Sequence, residues 1–178
     1  MLEAAHLECA RGSRTLFSGV GFSLAPGAML RVTGANGRGK TTLLRALCGL
    51  LQPAAGDVRW KGENIRALRE EYWASLLYIG HANALKDDLT PEENLVFACG
   101  IGGRAISRER ARAALARLAV GEALRLWILD EPFAALDAAG IDLVQSLAGE
   151  HLARGGMVVL TTHQDARIAA TSVTDINL

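Results

Sequence analysis

Apolar residues recur along this chain in two rhythms. Short, nearly continuous apolar runs alternate with segments in which apolar residues return every three or four positions. The runs at Ala28–Thr33, Leu76–Ile79, 124–129 and 157–162 predict strands, with Leu76–Ile79 as a buried one. The segments 40–51, 66–74, 107–118 and Ala138–Ala153 predict helices. Residues 2–33 read as strands and turns: 16–24 carries Phe17, Val20, Phe22 and Leu24, and Pro26-Gly27 turns the chain. A further strand is expected at 57–61 and an edge strand at 174–178. Gln52-Pro53 stops the helix before it. Thr90-Pro91-Glu92-Glu93 starts another, with Thr90 as cap, Pro91 in the first position and Glu93 closing a capping box. Strands alternating with helices predict one α/β domain built on a partly parallel sheet.

Composition narrows the classes. The chain has 178 residues, half of them hydrophobic, with 19 Lys and Arg against 19 Asp and Glu. A net charge of zero argues against a protein built to hold nucleic acid. Apolar runs such as 126–129 and 157–160 fall far short of the ~20 residues that span a bilayer. The first residues lack a basic stretch followed by an apolar one, so no secretory signal is expected. Cys9, Cys48 and Cys99 are scattered without a CxxC spacing. Disulfide and zinc readings are poor, and a reducing compartment fits.

Two motifs carry chemistry. Gly34-Ala35-Asn36-Gly37-Arg38-Gly39-Lys40-Thr41 satisfies G-x-x-x-x-G-K-[ST], with an apolar strand before it and a helix after it. Glycines let successive N–H groups face one concavity, and the following helix, which continues through Thr42, adds its positive end. This predicts a cradle for the polyphosphate of ATP. Lys40 would reach the β- and γ-phosphates and the Thr41 hydroxyl would serve Mg²⁺. The second motif is Leu126-Trp127-Ile128-Leu129 running into Asp130-Glu131-Pro132. So apolar a strand is expected to be central, and carboxylates at its C-terminal end lie where open α/β sheets bind ligands. Asp130 would hold Mg²⁺ through water, and Glu131 would orient and polarise an attacking water.

The order of the phosphate loop, LWILDEP, Ala135-Leu136-Asp137 and Leu160-Thr161-Thr162-His163 resembles the nucleotide-binding subunit of an ABC transporter. The resemblance implies a P-loop NTPase of the ABC type that uses ATP and Mg²⁺. It implies that the ALD segment faces a partner subunit and that His163 senses the γ-phosphate. It aligns Leu77-Tyr78-Ile79-Gly80-His81 with a loop in which a glutamine normally touches Mg²⁺, so His81 stands at that place; a plain loop residue is the other reading. An aromatic that stacks on adenine in the family is replaced by Arg11, whose guanidinium either stacks on the base or stays solvated.

RTLFSGVGFSL, VTGANGRGKTTLLRALCGL, YIGHANALKDDLTPEENL and LTTHQ together resemble the haem exporter branch of bacterial cytochrome c biogenesis. That branch implies a peripheral subunit on the cytoplasmic face of the inner membrane. It would dock on an integral membrane transporter subunit and work as a homodimer. No CxxCH is present, so haem handling would belong to partner subunits.

One family motif is missing. The LSGGQ-type signature should lie between Leu95 and Asp130, and the 34 residues there lack it. Residues 107–115 resemble the start of the family's helical subdomain and 115–120 the end of its later helix, which predicts a helical region shortened over about 82–120. In the family the signature of the opposite subunit supplies donors to the γ-phosphate, so retained Mg-ATP binding with reduced turnover is expected. A degenerate nucleotide-binding subunit without normal hydrolysis is the alternative reading. A soluble ABC-type ATPase of DNA repair or translation is a further one, against which the charge balance weighs. Arg104, Arg108, Arg110, Arg112 and Arg117 read as a solvated helix face. Trp60, Trp73, Trp127 and Cys48 read as packing residues, and His6 and His151 have no metal-ligand spacing.

Overall fold

The computed structural model describes residues 1–12, 14–80, 124–134, 136–164 and 167–178. The expectations for His81, the helix start at Thr90, the helix at 107–118, the basic stretch, Cys99, Ala135 and the shortened region fall outside these residues.

Two sheets form among the described residues. The first is antiparallel and has the order β2-β1-β4-β5, from β1 (Leu2–Arg11), β2 (Arg14–Leu24), β4 (Ala55–Trp60) and β5 (Glu63–Asn64). The second is wholly parallel and has the order β6-β7-β8-β3-β9, from β3 (Ala28–Thr33), β6 (Leu76–Ile79), β7 (Leu126–Asp130), β8 (Met157–Thr161) and β9 (Ser172–Asn177). The helices are α1 (Lys40–Leu47), α2 (Ile65–Leu68), α3 (Glu70–Ala74) and α4 (Ala138–Ala153).

The core explains why the central strands are apolar throughout. In β8, Met157 and Val159 enter one apolar cluster, shared with α1 and the antiparallel sheet. Val158 and Leu160 enter a second cluster, against Ala148 and Leu152 of α4. The alternating side chains of one strand therefore fill two layers. In β7, Leu126 and Ile128 take the first cluster and Leu129 the second.

Several boundaries differ from the sequence expectation. Helix α1 ends at Leu47, not 51. Gly49 sits at φ 73, its N–H bonds Ala46 C=O at 3.0 Å, and Leu50 N–H bonds Arg45 C=O at 2.9 Å. This is a glycine-terminated C-cap, and it acts before Pro53 does. The predicted helix 66–74 is two short helices, broken at Arg69 with φ 38. Strand β6 is only half-buried, with Ile79 45% exposed, because it is flanked by β7 alone among the described residues. Strand β7 begins at Leu126 and takes in Asp130, and β8 stops at Thr161.

Trp60 is buried, as expected of a packing residue, but Trp73 is half-exposed. Its Nε1 donates to Cys48 C=O at 3.0 Å, and Tyr72 Oη donates to Leu47 C=O at 2.7 Å, so α3 satisfies carbonyls left open at the end of α1. Cys48 is buried, and burial, together with the negative charge of Asp130, pushes its thiol up to about 12.

Trp127 stacks on His151 of α4, with ring centroids 4.3 Å apart and planes 12° from parallel. A Cβ on Gly156 would collide with the His151 ring. His151 Nε2 is buried without a hydrogen-bond partner. Burial lowers the His151 pKa, outweighing backbone contacts at Met157 and Arg125 that raise it, and the charges of Arg125 and Arg154 add to the lowering. The folded chain therefore binds this proton less readily than the unfolded chain. Stability should be full above about pH 6.5, the ordinary histidine value, and should fall as pH drops below it. Thermal melts between pH 8 and pH 5 check this: the decline should be shallower in His151→Phe, and an identical decline in both proteins would remove His151 as its cause.

Candidate functional site

Strand β3 ends at Thr33 and the glycine loop follows. Gly39 has φ 103, a conformation that L side chains rarely adopt, and an added Cβ would press within 3.1 Å of Phe17. Gly39 is also the N-cap of α1, so no side chain caps the helix, and its first turn holds no acidic residue. The first N–H groups of α1 are thus left for an anion from outside, at the positive end of the helix.

Lys40 opens α1 and is buried. Its ammonium donates to Gly34 C=O at 2.8 Å, lies 3.0 Å from His163 Nε2 and 3.9 Å from Glu131 Oε1. His163 Nε2 is in turn 3.3 Å from Glu131 Oε1. The three residues come from the loop after β3, the end of β7 and the end of β8, and only the parallel ladder brings them together.

The neighbouring group is made of oxygens. Thr41 Oγ1 donates to Asp130 Oδ2 at 2.7 Å. Asp130 has the same parity as Leu126 and Ile128, so it faces the layer that contains α1. A hydroxyl and a carboxylate are hard oxygen donors, suited to a Mg²⁺ that keeps waters and takes phosphate oxygens. Among the described residues no group of three or more His, Cys, Asp or Glu forms a metal cage of its own.

A cavity of about 400 Å³ opens beside these groups, lined by Arg11, Leu16, Asn36, Gly37, Gly39, Lys40, Thr41, Thr42 and Glu131. The structure therefore brings most of the sequence-predicted site residues together. Gly34 contributes its carbonyl to Lys40. Ala35 and Arg38 lie exposed on the outer turn of the loop and do not line the cavity. His81 lies outside the described residues. Asp137 caps α4 by accepting from Gly140 N–H at 2.8 Å, and Leu136 beside it is exposed.

Two site residues escaped the sequence reading. Leu16 lines the cavity against Gly39, yet in sequence it is one more apolar residue of β2. Thr161 bonds both acidic residues, but a Thr closing an apolar strand gives no signal of that.

Comparison with known proteins identifies the family. The family model "ABC transporter" matches residues 17–123. The cytochrome c biogenesis ATP-binding export protein CcmA of Aromatoleum aromaticum is 48% identical, over 95% of this chain and 91% of its own length. The protein of the same name from Dechloromonas aromatica is 45% identical over the whole of both chains. That alignment has 204 positions against 178 residues here, so some of that relative has no counterpart in this chain. The same-named protein of Escherichia coli K12 is 42% identical over all of this chain and 96% of its own. Among solved structures, a dimeric bacterial ABC transporter cassette matches with TM-score 0.76 and 20% identity, over 99% of this chain and 94% of that one. The chain belongs to the ABC transporter family, among the ATP-binding export proteins of cytochrome c biogenesis.

Proposed function

We propose that this chain is the ATP-hydrolysing subunit of an exporter that serves cytochrome c maturation by moving haem. The observation that carries the reading is the meeting of Lys40, Glu131 and His163, with Thr41 bonded to Asp130 beside them, at a cavity that Lys40, Thr41 and Glu131 line, next to a helix start that no side chain caps. The N–H groups of the loop and of α1 bind the polyphosphate, and Lys40 places a buried positive charge against it. Thr41 and Asp130 hold Mg²⁺, which, when bound, neutralises charge on the phosphate oxygens. Glu131 orients the attacking water and draws on its proton. His163, beside the Lys40 ammonium, contacts the terminal phosphate. Arg11, which lines the same cavity, covers the base.

Among the described residues no helix is long and apolar enough to cross a membrane, which supports docking on a separate integral membrane subunit. A second copy, as in the dimeric cassette, and a seat on the cytoplasmic face of the bacterial inner membrane complete the proposal. The balanced charge supports the expectation that nucleic acid is no partner. The absence of an LSGGQ-type sequence and the shorter chain support slowed turnover with nucleotide binding kept. The relatives' names lend no support to a subunit that binds without hydrolysing.

Paired measurements of Mg-ATP affinity and turnover test the reading. Glu131→Gln should keep its affinity within a few-fold and lose turnover by at least about 100-fold, the usual contribution of a general base. Equal turnover in both proteins would sink the role of Glu131, and absence of ATP binding would sink the proposal.

Arg11 is tested separately. Arg11→Ala should weaken ATP about 2- to 5-fold, the size of an exposed cation–π contact, and leave tripolyphosphate unchanged. Equal weakening of both ligands would place Arg11 on the phosphates instead.

A further inference from the structure

Thr161 ends a strand in which Met157 to Leu160 are all buried apolar residues, and it is itself wholly buried. A hydroxyl in such a place is costly unless it is bonded. Its Oγ1 donates to Asp130 Oδ1 at 2.8 Å and accepts from the Glu131 N–H at 2.7 Å. The single hydrogen and a lone pair are thereby both used. The ladder sets this up, because Asp130 and Thr161 are direct partners in the β7–β8 register.

Each bond constrains one arm of the site. Asp130 has two oxygens, and Thr161 takes Oδ1, which turns Oδ2 toward Thr41 at 2.7 Å. Glu131 is a non-glycine residue at φ 54, in the left-handed region. The Thr161 oxygen holds its N–H in that conformation, from which the Glu131 carboxylate reaches His163. One hydroxyl therefore orients the carboxylate assigned to Mg²⁺ and the residue assigned to the water.

We propose that Thr161 is a positioning residue for hydrolysis, acting through Asp130 and Glu131. This rests on the roles given to those two residues above. Valine matches the shape of threonine and lacks the hydroxyl, whereas serine keeps the hydroxyl and loses the methyl. The full chain and its Thr161→Val, Thr161→Ser and Asp130→Asn variants are compared for ATP affinity in EDTA, for ATP affinity along a Mg²⁺ titration, and for turnover, with circular dichroism as the folding check.

Thr161→Val should match the parent in EDTA. Its half-saturating Mg²⁺ should rise about tenfold and its kcat should fall 10- to 100-fold with little change in KM, the scale seen when groups that orient metal ligands are removed. Thr161→Ser should return both to within a few-fold of the parent, which a purely packing role would not do. Should the valine variant not fold, Thr161→Ala is read by the same criteria. A valine variant with parental Mg²⁺ dependence and kcat, beside an Asp130→Asn variant that has lost its Mg²⁺ response, would overturn the proposal alone. An Asp130→Asn variant that keeps its Mg²⁺ response would remove the reading of Asp130, and the proposal with it.

Discussion

Strands β3, β8 and β7 must remain in one parallel register, because each is covered on both faces. Val32 pairs with Thr161 and Thr161 with Asp130, so β7 and β8 stop level with each other and β3 runs one residue further. A slip of one residue would turn Val159 out of its layer and bring Val158 into it, exchanging every side chain between the two clusters. The same slip would carry Asp130 to the face away from α1. Core packing and site geometry are thus held by one constraint, which is why a site assembled from loops far apart in sequence stays aligned.

At the upper edge of that ladder the chain accepts local costs. Lys40 is buried and makes up for lost hydration with the Gly34 carbonyl, His163 and Glu131. Glu131 stands in a backbone region that costs of order 1–3 kcal/mol for a residue with a side chain. Helix α1 begins without a side-chain cap, a feature usually worth about 1 kcal/mol. These three departures from local optimum meet where an anion and a cation are to be received, although Arg69 also holds a positive φ and α3 also starts without a side-chain cap. Elsewhere α4 has the ordinary Asp137 cap and α2 is capped by Asn64.

The likeness to cassettes only about one-fifth identical shows how little of this architecture depends on particular residues. The closer relatives share far more, and the 204-position alignment marks this chain as the shorter version of that design.

Much was open to view in one dimension. The phosphate loop is contiguous, so its spacing alone announces an anion cradle, and the apolar runs announce central strands because burial on both faces leaves no polar position. The acidic pair was readable because it follows such a run. Other features depend on contacts between segments distant in the chain. The early end of α1 follows from the conformation at Gly49, well before the proline that seemed to mark it. The exposure of Ile79 follows from strand order, which no run of residues states. Thr161 is one hydroxyl on an apolar strand until the ladder sets it against Asp130, and Leu16 is one more core-like residue until β2 lays it against Gly39. Periodicity reports which face of an element is buried; only packing reports what that face meets.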